Sequence, residues 1–215
     1  MNYSAVITAA GSSTRFNRGI SKMLHIFSNG ETVIDRTLKP FLADEECREI
    51  VVVCTPQIQN YLSDVYKDDR LSYCEGGESR SESVYNGLQH CHEKIVLVHD
   101  GARCYLEKED LENLKKAVSL NNGAILVGSM YDTVKMVENG KVVSTIDRNQ
   151  LKRAQTPQGF PLEELLKCYR KAQKDGFTGT DESSLFERYS EMEVLCVESR
   201  GHNTKVTVID DVRSD

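Results

Sequence analysis

The sequence of 215 residues predicts an α/β protein with a central, mostly parallel sheet between two layers of helices. Short β-branched runs, the strongest at 95–99, alternate with segments of helical periodicity over the first 130 residues. Such alternation favours parallel strands joined by right-handed crossovers. No apolar run approaches the ~20 residues of a membrane span, so no membrane partner is expected. We therefore predict a three-layer, doubly wound, Rossmann-like fold, with ligands bound outside the carboxyl ends of the strands.

The predicted elements follow one another in a regular order. Strands are expected at residues 5–9, 49–54, 71–75, 95–99, 124–127 and 193–197. Helices are expected at residues 33–41, 57–66, 79–91, 106–120, 162–174 and 181–189. Thr32 is a suitable N-cap for the first helix, and Pro56 suits the first turn of the second.

Residues 132–154 interrupt this alternation. Two alternating runs flank Asn139-Gly140, and Asn-Gly in that setting predicts a β-hairpin. No linker, repeat or low-complexity segment divides the chain. We expect one domain over residues 1–215, from which 132–154 projects as a β-arm for dimerisation.

Composition excludes several classes of function. A net charge of −6 disfavours nucleic acid as a partner, because that affinity depends on neutralising phosphates. Seven scattered cysteines, with no Cys-x-x-Cys, disfavour a disulfide framework or a structural zinc site. No secretory signal is recognisable at the N-terminus, so a reducing cytoplasm is the expected compartment.

Small residues and then two cations follow the first predicted strand: Ala9, Ala10, Gly11, Ser12, Arg15 and Lys22. Small residues let a ligand approach the backbone, whose amides can cradle phosphate oxygens. An ordinary loop with solvated cations is the alternative. The sequence lacks Gly-x-Gly-x-x-Gly and Gly-Lys-Ser/Thr, which disfavours a dinucleotide-binding oxidoreductase and a P-loop enzyme.

Two further motifs follow predicted strands. Gly77 and Glu78 precede a helix in which Ser83 could bind a base or ribose, although a glycine turn with a helix cap is the alternative. Asp100 ends the strongest strand and could orient a hydroxyl or accept a magnesium ion. We expect the adjacent His99 to be a hydrogen-bonded core residue rather than a general base.

Isolated cations and hydroxyl residues recur later in the chain: Thr133, Arg148, Thr156, Thr180 and Lys205. Cations beside hydroxyl groups suit a phosphate site, although surface charge is the alternative for each one.

In this order the motifs resemble those of the 2-C-methyl-D-erythritol 4-phosphate cytidylyltransferases of the non-mevalonate isoprenoid pathway. The resemblance runs from Ala5 to about Asp211. It rests on Ala-Ala-Gly with its Arg and Lys, Gly-Gly-x-x-Arg-x-x-Ser-Val, Val-His-Asp-x-Ala-Arg, Asp-Thr-Val-Lys, Asp-Arg-Asn, Thr-Pro-Gln, Thr-Asp-Glu and Lys-Val-Thr. Ser21, Glu78 and Gly101 replace the family's usual Pro, Asp and Ala, and the family's usual final helix is not expected before Asp215.

The resemblance implies a nucleotidyltransferase fold and a transfer of CMP from CTP to methylerythritol phosphate, with release of pyrophosphate. Mg²⁺ would be held mainly by the CTP phosphates. The implied catalytic residues are Arg15, Lys22, Arg148 and Lys205. The implied nucleotide-binding residues are Ala9, Ala10, Gly11, Ser12, Gly77, Glu78, Ser83, Asp100 and Gly101. The implied residues for the acceptor phosphate are Asp100, Arg103, Thr133, Arg148, Thr156, Thr180 and Lys205.

The resemblance also implies a homodimer in which the arm is exchanged; whether Arg148 then serves its own or the neighbouring site stays open. Two alternatives stay open: a ribitol-5-phosphate cytidylyltransferase, and a non-catalytic nucleotide-binding regulator. Ser83-Val84 and Thr180-Asp181-Glu182-Ser183 favour methylerythritol phosphate. Arg15 and Lys22 favour an enzyme, since a regulator needs no transition-state contacts.

Overall fold

The computed structural model describes residues 1–11, 16 and 21–212. Ser12 and Arg15, both predicted at the site, lie outside the described residues. Seven strands form one sheet in the order β3-β2-β1-β4-β8-β5-β9. They are β1 Tyr3–Thr8, β2 Cys47–Val53, β3 Leu71–Cys74, β4 Ile95–Asp100, β5 Gly123–Ser129, β8 Lys152–Pro161 and β9 Val194–Glu198.

Helices cover both faces of this sheet. They are α1 Val33–Leu42, α2 Pro56–Val65, α3 Arg80–Leu88, α4 Lys108–Ala117, α5 Leu162–Asp175 and α6 Glu182–Tyr189. Thr32 caps α1 in a reciprocal capping box with Asp35, and Pro56 is the first residue of α2. Both predicted helix starts are therefore confirmed.

The core has two parts because neighbouring residues of a buried strand face opposite sides of the sheet. Ile7 packs with Leu38 and Phe41 of α1, whereas Val6 belongs to the cluster of Leu88 and Phe186 on the other side. All six side chains are fully buried. This arrangement confirms the predicted three-layer α/β fold.

The strand β8 was not predicted, and it runs through the middle of the sheet. It pairs antiparallel with both β4 and β5, while β1–β2, β1–β4, β2–β3 and β5–β9 are parallel. The sheet is thus mostly parallel, as expected, with one central strand reversed.

The arm forms the predicted hairpin, with β6 at Val134–Glu138 and β7 at Lys141–Ile146. Asn139 and Gly140 have φ values of 49° and 76°, the left-handed conformation that this type of turn needs. Four apolar side chains of the hairpin are exposed: Met136, Val137, Val142 and Val143. The hairpin pairs only within itself among the described strands.

The longest helix has 14 residues, and no helix in the described part of the chain has the length and apolar character needed to cross a bilayer.

Candidate active site

A cavity of about 420 Å³ opens where β1 and β4 end. Among the described residues its walls combine two small-residue loops with five charged side chains. They are Thr8, Ala9, Ala10, Gly11, Lys22, Met23, Gly77, Glu78, Ser79, Arg80, Ser83, Asp100, Ala102 and Lys205. The structure therefore brings the described residues of the first three predicted motifs to one place.

Lys22 begins a 3-10 helix, Lys22–Leu24, beside this cavity. The Ser21 hydroxyl accepts a hydrogen bond from the Met23 amide at 3.3 Å and so caps the turn. The Lys22 ammonium donates to the Val206 carbonyl at 3.1 Å. Ser21, where the family usually has Pro, thus serves as the cap of the turn that carries Lys22.

Side chains of α3 hold the glycine loop in place. The Ser83 hydroxyl accepts from the Gly77 amide at 3.0 Å and donates to the Ser79 carbonyl at 2.9 Å. The Glu82 carboxylate accepts from the Glu78 amide at 2.7 Å. Within this chain the Ser83 hydroxyl therefore holds the glycine loop that borders the cavity, as in the alternative interpretation of this motif as a glycine turn followed by a helix.

The two loops touch, which explains a glycine between them. A Cβ on Gly76 would lie 2.5 Å from the Cβ of Ala10. Gly101 is similarly enclosed, because its Cβ would lie 2.7 Å from the Thr8 carbonyl oxygen and 3.2 Å from the Met23 sulfur. Gly101 therefore packs against Thr8 and Met23, which line the cavity, and does not line it itself.

Asp100 is surrounded by three cations. One carboxylate oxygen accepts from the Arg80 Nε at 3.0 Å; the other accepts from the Lys205 Nζ at 3.0 Å and lies 3.5 Å from the Arg103 Nε. Burial alone would raise the pKa of Asp100, but Arg80 and then Lys205 outweigh it and hold that pKa well below its usual range. The carboxylate thus organises cations at the end of β4.

A second cavity of about 250 Å³ shares Arg80, Asp100 and Lys205 with the first. Its other walls come mainly from β8 and from the turn before α6. They are Arg103, Ala154, Gln155, Thr156, Gln158, Thr180 and Asp181. Three predicted acceptor residues outside the shared wall, Arg103, Thr156 and Thr180, therefore lie together here.

The segment 203–206 closes this side of the site. The Asn203 side chain donates to the Thr156 carbonyl at 2.7 Å, and the Arg103 guanidinium donates to the Asn203 carbonyl at 2.8 Å. The Val206 amide donates to the Ala102 carbonyl at 2.8 Å. These bonds fix the backbone on both sides of Lys205. Burial lowers the pKa of Arg103 below its usual range, partly offset by Asp100.

His99 is fully buried under the site, as expected for a core histidine. Its Nε2–H donates to the Arg103 carbonyl at 3.1 Å, and its Nδ1 accepts from the Thr156 hydroxyl at 3.0 Å. The Thr156 hydroxyl in turn accepts from the Asp100 amide at 3.0 Å. Burial lowers the pKa of His99 to about 4, so the ring is neutral at pH 7. It positions β8 against β4.

Thr133 and Arg148 lie apart from both cavities, on the exposed arm. Arg148 begins the 3-10 helix Arg148–Gln150 and donates a hydrogen bond to the carbonyl of Tyr131, the residue directly before the arm. Within the described residues of one chain, these two predicted residues are not brought to the cations around Asp100.

Sequence reasoning missed the connection between Arg80 and Glu182. Arg80 was part of a quoted motif but was given no role, and Glu182 was noted only within Thr-Asp-Glu. The Arg80 guanidinium binds both oxygens of the Glu182 carboxylate, at 2.8 and 3.0 Å. The signal available was the basic residue at the first position of α3, directly after the glycine loop.

The described residues contain no group of three or more His, Cys, Asp or Glu side chains that could hold a metal ion. Asp100 and Glu182, the buried carboxylates closest to the cavities, are already paired with cations.

Comparison with known proteins agrees with this geometry. Residues 3–214 match the family model of IspD, 2-C-methyl-D-erythritol 4-phosphate cytidylyltransferase. Relatives of that name from Geobacillus thermodenitrificans and Bacillus anthracis are 38% and 36% identical, covering 99% and 98% of this chain and 94% of each relative.

Solved structures give the same result. The cytidylyltransferase of Francisella tularensis superposes with a TM-score of 0.81 at 32% identity, covering 98% of this chain and 96% of that one. The 4-diphosphocytidyl-2C-methyl-D-erythritol synthase of Anaerococcus prevotii gives a TM-score of 0.86 at 28% identity, covering 98% and 94%. The chain therefore belongs to the 2-C-methyl-D-erythritol 4-phosphate cytidylyltransferase family, whose members are CTP-dependent nucleotidyltransferases.

Proposed function

We propose that the protein transfers CMP from CTP to 2-C-methyl-D-erythritol 4-phosphate and releases pyrophosphate, as a step in making isoprenoid precursors. One observation carries this proposal: the two cavities meet at a wall formed by Arg80, Asp100 and Lys205. Two phosphorylated substrates placed in adjacent cavities would have their phosphates on either side of that wall. A shared cationic wall suits a phosphoryl transfer between them.

The larger cavity takes the nucleotide in this proposal. Its small-residue walls, from Ala9 to Gly11 and at Gly77, permit close approach of a ligand to the backbone. Lys22, from the described part of the first loop, supplies positive charge, and Arg15 is proposed to do the same. Ser12, Glu78, Ser83 and Asp100 complete the proposed nucleotide set, and Gly101 contributes only by allowing Thr8 and Met23 to pack closely beside it.

Enzymes of this family use CTP and typically a divalent ion. We propose Mg²⁺, which would neutralise charge on the phosphates. Because the buried carboxylates Asp100 and Glu182 are paired with cations, the ion is expected to be held mainly by CTP itself. Excess chelator should therefore abolish turnover, and added Mg²⁺ should restore it.

The smaller cavity takes the acceptor. An oxygen of the acceptor phosphate attacks the α-phosphorus of CTP in line, as the bond from that phosphorus to the pyrophosphate oxygen breaks. No covalent enzyme intermediate is required, so the protein contributes position and charge. Lys22 and Arg15 stabilise the extra negative charge of the transition state, while Arg103, Thr156, Thr180 and Lys205 hold the acceptor phosphate.

The arm completes the acceptor site in a homodimer. Residues 1–215 form one domain in this proposal, and 132–154 reach a second copy. Exposed apolar side chains on the hairpin support this, because an isolated two-stranded ribbon is marginal in water. Thr133 and Arg148 would then meet the neighbour's acceptor phosphate.

The decisive assay follows pyrophosphate release from CTP with methylerythritol phosphate and, in parallel, ribitol 5-phosphate. We expect turnover with methylerythritol phosphate and about a hundredfold lower kcat/KM with ribitol 5-phosphate, which carries an additional hydroxyl group and lacks the methyl group. A higher kcat/KM with ribitol 5-phosphate would instead identify ribitol 5-phosphate as the acceptor. Absence of turnover with both acceptors, in protein that binds CTP, would overturn the proposed function.

A further inference from the structure

The first residue of α6, Glu182, is a fully buried carboxylate that the proposed chemistry does not use. Its two oxygens accept from the two Nη atoms of Arg80, and Oε1 also accepts from the Tyr169 hydroxyl at 3.0 Å. A bidentate carboxylate–guanidinium pair fixes the plane of the guanidinium as well as its position. Glu182 therefore sets the orientation of Arg80.

Arg80 is the only described residue of α3 that lines both cavities. Its three contacts with Asp100 and Glu182 use three of the five N–H donors of a guanidinium, so two remain for a ligand. Burial would lower the pKa of Arg80, but Glu182 and then Asp100 outweigh it and raise the pKa above its ordinary value. Arg80 thus stays charged between the two proposed substrates.

Tyr169 holds the Glu182 carboxylate in place through the hydrogen bond from its hydroxyl. It is buried on α5 and packs beside Tyr85 of α3, with ring centroids 5.7 Å apart. Burial and then the charge of Glu182 raise the pKa of Tyr169 well above its ordinary value, so its hydroxyl remains a donor. The donor leaves Glu182 little freedom to rotate away from Arg80.

We propose that Glu182, steadied by Tyr169, is a positioning residue that holds the Arg80 guanidinium against the phosphates at the boundary between the nucleotide and acceptor cavities. This inference rests on the proposed cytidylyl transfer. Glu182 acts on the reaction only through Arg80, so its contribution disappears when Arg80 is absent.

The test is a double-mutant cycle of Glu182→Gln and Arg80→Met, with kcat and both KM values measured on folded protein. We expect Glu182→Gln to lower kcat by about tenfold to a hundredfold, the size of effect that follows a misplacement near 1 Å. In the Arg80→Met background the same change should lower kcat less than about threefold, as for residues that act as a unit. Glu187→Gln, an exposed carboxylate on the same helix, is the matched control.

A merely structural role would give a lower melting temperature with kcat unchanged, or losses in kcat that multiply in the double variant. Either outcome would overturn the inference. If Glu182→Gln does not fold, Tyr169→Phe decides: a several-fold loss of kcat that vanishes in the Arg80→Met background supports the inference, and an unchanged kcat overturns it.

Failure of the proposed function gives a different pattern. Wild-type protein without turnover of either acceptor would overturn that function. Calorimetric titration with pyrophosphate then tests the positioning alone: about tenfold weaker binding by Glu182→Gln supports it, and equal binding by wild type and variant overturns it.

Discussion

The cavity walls at the end of β4 and the β-arm differ in how their charged residues are held. Arg80, Arg103 and Lys205 converge on one buried carboxylate, and Arg80 also pairs with Glu182. On the arm, Arg148 is exposed and donates a hydrogen bond to the backbone carbonyl of Tyr131, the residue directly before the arm.

This difference separates charged side chains that one subunit holds in place by itself from those that need contact with a partner subunit. Buried ion pairs in a low-dielectric site have fixed geometry, because breaking one leaves an uncompensated charge. An exposed arginine on a two-stranded ribbon has many positions of similar energy. We therefore expect the cavity walls to be formed in a single subunit, and the arm to gain a fixed position only against a partner.

The largest expected effect tests the cavity side. Lys22→Ala should lower kcat by ~10²–10³, the usual cost of removing one preorganised donor to a transition state. CTP affinity should change far less, because many other groups line the nucleotide cavity. Steady-state kinetics and calorimetric CTP titration measure the two quantities, with the exposed Lys39→Ala as control. Near-normal kcat would remove Lys22 from the catalytic set.

A second test concerns the stability of the cavity floor. His99 has a pKa of about 4 when folded and an ordinary value of 6.5, so only the unfolded chain takes up this proton between those values. The free energy of unfolding should therefore fall by roughly 3 kcal/mol as the pH drops from 6.5 to 4. In His99→Gln this part of the pH dependence should be lost.

Urea unfolding at a series of pH values measures this dependence. His90→Gln, which replaces an exposed histidine, should keep the wild-type slope. An unchanged slope in His99→Gln would show that His99 does not stay neutral in the folded protein.

The third prediction compares one cation from each region. Lys205→Ala and Arg148→Ala should each raise the KM for the acceptor about tenfold to a hundredfold, since a charged hydrogen bond contributes about 1.5–3 kcal/mol. The KM for CTP should change little. A defect confined to CTP, or no defect, would mean that both residues are assigned to the wrong site.

Subunit mixing then locates Arg148. If the arm is exchanged, a heterodimer of Arg148→Ala and Lys22→Ala subunits has one intact site, so a re-equilibrated mixture should regain about a quarter of its sites. If Arg148 serves its own subunit, each heterodimer site carries one defect and the mixture regains nothing.

The last test concerns the arm's apolar surface. Val142 lies opposite Val137 in the hairpin, and both are exposed. Val142→Asp should weaken the dimer about tenfold to a hundredfold, the loss expected when an apolar side chain is no longer buried. Sedimentation at a series of concentrations measures this, with Val65→Asp as an exposed control. Equal dissociation constants would show that this face does not contact a partner.

Most of the fold could be predicted because its signals are local. Alternating β-branched runs and helix caps placed every strand of the sheet except β8, and Asn139-Gly140 placed the hairpin. β8 escaped detection because it contains two prolines and a run of polar residues, including Gln155 and Gln158. Its burial depends on distant partners: Gln158 donates to Asp181 and accepts from the Ser183 amide.

The candidate site likewise has parts that local sequence predicts and parts that depend on distant contacts. Loops that follow strand ends were located because topology alone brings them to one edge of the sheet. The pairing of Arg80 with Glu182 joins residues 102 positions apart, and no local pattern specifies it. The positions of Thr133 and Arg148 near a substrate depend on a second chain in our proposal, so the fold of one subunit does not supply them.

The reversed strand β8 has a further consequence for how this molecule can vary. Ser129 at the end of β5 pairs with Lys152 at the start of β8, so the chain leaves and re-enters the sheet at adjacent positions. Residues 130–151, including the hairpin, are therefore an insertion between two paired strands of the sheet. Its length and composition can drift, or be replaced by a tight turn, without shifting the register of any of the seven strands. A change in the hairpin can therefore leave the seven-stranded sheet and the cavity walls of one subunit unaltered.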